Sequence, residues 1–148
     1  MRYRTIHTLV CFLLLMAANI QADNLTQPVS LVPCPVSIVP GTGNFHFSEE
    51  TTFAVENEEQ AVEVRRFTAL LTRAAGFTPR IKVGNKKGDV CLTTDVGLKE
   101  EAYKLEITAK RINIHAADVQ GFFYALQSIR QLLPAAIEGG QVVTGIDW

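Results

Sequence analysis

Residues 103–116 constrain the fold more than any other stretch of this chain. Tyr103, Leu105 and Ile107 alternate with Lys104, Glu106 and Thr108; past Ala109-Lys110, Ile112, Ile114 and Ala116 alternate with Arg111, Asn113 and His115. A period of two belongs to strands, because successive side chains point to opposite faces. If Ala109-Lys110 is a two-residue turn, Ile107 faces Ile112, Leu105 faces Ile114 and Tyr103 faces Ala116, so that every apolar residue lies on one side. A slip of one residue destroys that agreement. A ribbon with one greasy face needs a cover, and the next segment supplies one. Asp118 is a good N-cap, and Val119, Phe122, Phe123, Leu126, Ile129 and Leu133 form a helical stripe that runs towards Pro134. Gly121, in the first turn, costs roughly 1 kcal/mol relative to Ala in a helix. Close approach of the helix backbone to the sheet is the reason we assign to it.

Upstream, the signals are weaker. Between Leu25 and Gly43 the chain is broken by Pro28, Pro33, Pro35, Pro40, Gly41 and Gly43, so any strand there is short and at an edge, with Val36 and Ile38 facing inward. Asn44-Phe45-His46-Phe47 alternates with its two phenylalanines on one face, and Thr51-Thr52-Phe53-Ala54-Val55 is β-branched and aromatic. A helix then starts behind Asn57, with Gln60 completing a capping-box pattern. Ala61, Val64, Phe67, Leu71 and Ala74 form its stripe, Leu70 lies beside it, and Gly76 stops it. Arg80-Ile81-Lys82-Val83 and Asp89-Val90-Cys91-Leu92-Thr93 flank the Gly- and Asn-bearing connection 84–88, which suits a hairpin. Two helices among short strands with hairpin-length connections predict an α+β fold: a mainly antiparallel, mixed sheet with two helices packed on one face.

The first residues read as a secretory leader: Arg2 and Arg4 precede the apolar run Leu9 to Ala18, with cleavage expected after Ala22, where Ile20 and Ala22 occupy the positions a signal peptidase reads. A membrane anchor fits less well, since a span needs about 20 apolar residues and this run stops at Asn19. The expected organisation is a signal peptide over 1–22, one α+β domain over 23–140, and a linker or strand beginning at 141–148; what remains after cleavage is enough for a single core and too little for two ordinary domains. The product is expected to be exported: periplasmic, at the cell surface or secreted. The formal net charge is −1, and Lys and Arg are scattered among Asp and Glu, so neither a nucleic acid nor an acidic membrane is expected as a partner. Cys34 and Cys91 remain after processing. Export permits them to pair, whereas the apolar run around Cys91 also suits a free buried thiol. No cysteine–histidine spacing suits a metal, and no cofactor is expected. The sequon Asn24-Leu25-Thr26 is a glycosylation acceptor only in a eukaryotic host.

The stretch Glu101 to Ile107, then Ile112-Asn113-Ile114-His115-Ala116-Ala117-Asp118, then Gly121-Phe122-Phe123 through Gln127-Ser128-Ile129-Arg130-Gln131-Leu132-Leu133 resembles the small N-terminal domain of family 20 glycoside hydrolases, the β-N-acetylhexosaminidases. Leu31-Val32-Pro33-Cys34-Pro35 and the segment Gly43 to Phe47 look like the first strands of that domain. Ala102, where the family usually has Gly, and the turn Ala109-Lys110 depart from it. The resemblance implies a non-catalytic domain preceding a (β/α)8 barrel that removes terminal N-acetylhexosamine residues. In that mechanism the acetamido oxygen of the substrate attacks the anomeric carbon, while an adjacent Asp-Glu pair in the barrel orients the acetamide and protonates the leaving group. The implied partner is therefore the barrel, with glycan reaching the protein only through it.

This chain has no Asp-Glu dyad of its own. Glu49-Glu50, Glu58-Glu59 and Glu100-Glu101 are adjacent acids, but neighbours on a strand point apart and those at a helix start complement its positive end. His46 and His115 fall on polar faces of predicted strands, Asp118 is a cap, and Trp148 is a poor stacking platform. No catalytic, cofactor-binding or metal-binding residue is assigned. The rival readings are a free-standing carbohydrate-binding or interaction module, which needs an exposed aromatic platform or apolar patch, and the equivalent domain of another exported glycosidase family.

Overall fold

The computed structural model describes residues 29–148. The expected leader and the sequon at Asn24 lie outside the described residues. Among those residues the order is β1 (Thr52–Val55), α1 (Glu58–Ala75), β2 (Arg80–Val83), β3 (Val90–Thr94), β4 (Tyr103–Ile107), β5 (Ile112–Ala116), α2 (Val119–Leu132) and a 3-10 turn (Ala135–Glu138). The strands make one five-stranded sheet in the order β2-β1-β3-β5-β4. The β4–β5 ribbon has the register read from the alternation, with Ile107 opposite Ile112, Leu105 opposite Ile114 and Tyr103 opposite Ala116.

The α+β class and the mixed sheet stand, but the expectation that antiparallel pairs predominate is corrected. β1–β2, β1–β3 and β3–β5 are all parallel, and only β4–β5 is antiparallel. The predicted hairpin of β2 with β3 does not form. β2 lies on one side of β1 and β3 on the other, so the connection 84–89 passes across β1 on the face away from the helices. Small residues make that passage possible. A Cβ on Gly88 would sit 2.7 Å from the Thr52 carbonyl oxygen and 3.0 Å from the Ala54 Cβ. The Asp89 amide donates to Thr52 O (2.9 Å) and the Thr52 amide donates to Asp89 Oδ2 (2.9 Å), locking the crossing. β1 is consequently buried on both faces.

The other face carries the core. Phe53 and Val55, Val90 and Leu92, and Ile112, Ile114 and Ala116 pack in one cluster with the α1 stripe Ala61, Val64, Phe67, Leu71 and Ala74 and with Phe122, Ala125, Leu126 and Ile129 of α2. Full burial of each large side chain contributes about 1.5–3 kcal/mol. Asn57 caps α1 by accepting from the Gln60 amide, and Gly76 ends it at φ 81°. Gly121 lies where its Cβ would come within 2.7 Å of the Ala102 carbonyl oxygen, as the close approach inferred from sequence requires.

The leading segment is irregular up to Thr51, and the inward placement expected of Val36 and Ile38 is wrong: both are exposed. Pro33, Pro35 and Pro40 remove the amide donors that a ladder needs. Phe47 is buried, Phe45 half-buried and His46 exposed, so the alternation there survives without a strand. No helix of the described residues is long and apolar enough to cross a membrane.

Candidate functional site

An open sheet with parallel strands tends to offer a crevice at the carboxyl ends of its strands, where neighbouring connections run in opposite directions. Here that point lies between β1 and β3, and it is filled. The carboxylate of Glu56, just past β1, accepts from the Thr94 hydroxyl (2.6 Å), the Thr94 amide (2.9 Å) and Gln60 Nε2 (3.3 Å). Gln60 is buried, and its Oε1 accepts from the Glu56 amide at 2.8 Å. Burial pushes the Glu56 carboxyl up, but the Thr94 and Gln60 hydrogen bonds and the Lys86 charge together outweigh it and hold the group below its ordinary range. This node joins the ends of two strands to the start of α1. Its sequence signal was absent, because nothing local distinguishes Glu56 from a solvated acid.

The residues weighed from sequence do not converge. Glu49 and Glu50 are exposed in a turn; Glu58 pairs with Arg65 at 2.9 Å on the surface of α1, beside exposed Glu59; Glu100 and Glu101 are exposed before β4. Asp118 caps α2 through Oδ1, which accepts from the Gly121 amide at 2.8 Å, while Oδ2 accepts from the Glu101 amide at 2.8 Å. The Glu101 amide and then the Gly121 amide hold its carboxyl below the ordinary range. His115 is half-buried on the outer face of the sheet, between Thr93 and Lys104 in register. His46 has a partner that local sequence could not supply, Asp147, whose Oδ1 lies 2.7 Å from Nδ1. Cys34 is exposed and Cys91 buried, both free; the Cys91 thiol lies 3.3 Å from Gly88 O, under the crossing loop. Trp148 is buried in the core cluster and presents no platform to a sugar. Among the described residues no buried side-chain polar atom lacks a hydrogen-bond partner, and no three His, Cys, Asp or Glu side chains gather as metal ligands.

One concavity is a groove of about 170 Å³ on the outer side of the helix layer, between α1 and α2; another, of about 230 Å³ and more open, is lined by Phe45, His46, Thr51, Asp89 and Lys110. Phe67, Leu70, Phe123 and Leu126 form the floor of the interhelical groove, and Glu63, Arg66, Gln127 and Arg130 its rim. Each cation of the rim already has a carboxylate: Arg66 Nη1 donates to Glu63 Oε1 at 2.6 Å, and Arg130 donates through Nε and Nη2 to the two oxygens of Glu138. That pairing raises the Arg130 pKa and lowers that of Glu138. Val62, Tyr124 and Leu132 add exposed apolar surface on the two helices. An apolar floor with an internally neutralised rim suits another protein surface better than an anion, and it contains no pair of free carboxylates for hydrolysis.

Comparison with known proteins bears on what such a surface is for. Residues 28–146 match the family described as Glycosyl hydrolase family 20, domain 2. A beta-hexosaminidase of Porphyromonas gingivalis is 27% identical over 142 residues, covering 90% of this chain and 18% of its own length. The N-acetyl-beta-hexosaminidase structure from Streptomyces plicatus superposes with a TM-score of 0.71 at 27% identity, over 80% of this chain and 24% of that one. The GH20 beta-N-acetylhexosaminidase of Streptomyces coelicolor gives a TM-score of 0.69 at 29% identity, over 78% and 24%. The chain thus spans a quarter or less of the length of these relatives.

Proposed function

We propose a function from one premise: this chain belongs to glycosyl hydrolase family 20, as a domain 2 of that family. On our reading it is the non-catalytic front domain of an exported β-N-acetylhexosaminidase, an enzyme that removes terminal N-acetylhexosamine residues from glycans. The chemistry resides in a separate (β/α)8 barrel, where the acetamido group of the substrate acts as the nucleophile. The role of this domain is to pack against that barrel and support it. The observation that carries the reading is the match across 28–146, in a chain where Asp118 serves as a cap, Glu58 lies in a surface pair and Glu56 belongs to the strand-end node. The helix layer, with its neutralised groove and the exposed Val62, Tyr124 and Leu132, is the surface best suited to the barrel. Export rests on the basic start and apolar run of residues 1–22. Incubating the purified chain with a chromogenic N-acetylglucosaminide tests the assignment: no turnover above the uncatalysed rate is expected, and robust hydrolysis overturns it.

A further inference from the structure

We infer that residues 139–148 form a docked strap, an integral part of the domain that closes it across the end of α1 and fixes the direction in which the chain proceeds. The fixing of direction rests on the reading of this chain as one domain of a longer enzyme; the docking does not.

The strap is held at separate points. After the turn at Gly140, the Val143 amide donates to Ala74 O at 2.9 Å, satisfying a carbonyl that the end of α1 leaves without a helical partner. Val142 lies against Gly76, where an added Cβ would stand 3.3 Å from Val142 Cγ1. Ile146 packs on the core, and Asp147 Oδ1 meets His46 Nδ1 at 2.7 Å. Finally, the Phe47 amide donates to Trp148 O at 2.5 Å, and the Trp148 side chain is only 7% exposed. Phe47 itself sits in an aromatic group with Phe45, Phe53 and Phe67, at centroid separations of 5.0, 6.2 and 6.0 Å. The segment that leads into β1 and the last described residues are therefore clasped to one another. A flexible linker is typically rich in Gly and Ser and makes no such contacts; in Val142-Val143-Thr144-Gly145-Ile146-Asp147-Trp148 the Trp148 side chain is buried and Val143 and Ile146 are half-buried on the domain, while Val142 touches Gly76 and stays largely exposed.

Trp148 is the sole tryptophan, so the intrinsic fluorescence of the full chain reads the strap directly. The expected result is blue-shifted emission, acrylamide quenching several-fold below that of free tryptophan, and an anisotropy decay with the correlation time of the whole molecule. Val143→Pro removes the donor to Ala74 O without touching the sheet, and it should raise quenching about twofold or more while leaving far-UV circular dichroism unchanged. Quenching of the unsubstituted chain like that of free tryptophan, a fast segmental component in its anisotropy, or identical quenching in Val143→Pro would overturn the inference. Hydrolytic activity of the chain would sink the functional reading and leave these signals as they are, so the two failures are distinguishable.

Discussion

Substituting Gly121 by Ala sets two known effects against each other, and the structure decides the sign. In a helix interior Gly→Ala gains about 1 kcal/mol, so propensity alone predicts a more stable protein. The added methyl, however, would lie 2.7 Å from the Ala102 carbonyl oxygen and 3.0 Å from the Ala116 Cβ. The first neighbour is backbone and cannot rotate away, and the same oxygen accepts from the Ala117 amide at 3.2 Å. Overpacking of this kind costs about 1–3 kcal/mol, and a stretched hydrogen bond adds up to about 1 kcal/mol. The net expectation is a loss of about 1–2 kcal/mol, a fall in Tm of roughly 3–10 °C for a domain of this size. Thermal denaturation followed by far-UV circular dichroism measures it, with exposed Gln120→Ala as a neighbour expected to stay within about 0.5 kcal/mol. Adding Ala116→Gly to Gly121→Ala removes the side-chain contact but not the carbonyl one, so it should not restore the original Tm. A Tm for Gly121→Ala equal to or above that of the parent chain refutes the claim that α2 rests its backbone on the β4 entrance.

Three further outcomes are expected. Glu101 is the one non-glycine residue with positive φ (62°) among those described, so Glu101→Gly should relieve strain and raise stability by about 0.5–1 kcal/mol, read as a higher urea midpoint. The Glu56 carboxyl titrates below its ordinary value of 4.5 in the fold, so its stabilisation is complete above that value and disappears as the pH falls through the lower folded value; Glu56→Gln should flatten the loss of Tm between neutral and acid pH, and an unchanged acid slope would exclude the node as its source. Mass spectrometry of the exported protein should find Asp23 at the amino terminus, and a chain that retains Met1 to Ala22 would show that the leader is not removed.

What could be read from the chain and what could not divides along the range of the interactions. The β4–β5 register, the Asn57 and Asp118 caps, the Gly76 stop, the α1 stripe and the Phe122, Leu126, Ile129 and Leu133 part of the α2 stripe are set by neighbours a few residues apart and are found in the fold, whereas Val119 and Phe123, expected on that stripe, are half-buried outside the core, Phe123 in the outward groove. The error lay in the connection 84–89. A short Gly- and Asn-bearing link between two strand-like runs satisfies hairpin chemistry, yet the apolar character of β1 on both faces demanded partners on either side of it. An 18-residue helix between β1 and β2 is itself a crossover of the length that joins parallel strands. Once β2 is parallel to β1, the remaining edge of β1 goes to β3, and the link must cross β1 over Ala54, the small residue that leaves room for Gly88. The contacts that sequence reasoning missed at the candidate sites have the same origin: Glu56–Thr94, His46–Asp147 and the burial of Trp148 join residues 38 to about a hundred positions apart. They exist only after the parallel crossings have brought the strand ends and the two chain segments together, so no local pattern could announce them. The groove between the helices follows the same logic, since each stripe predicts a buried side, while the outward space between Leu70 and Phe123 depends on how the two helices lie together over the sheet.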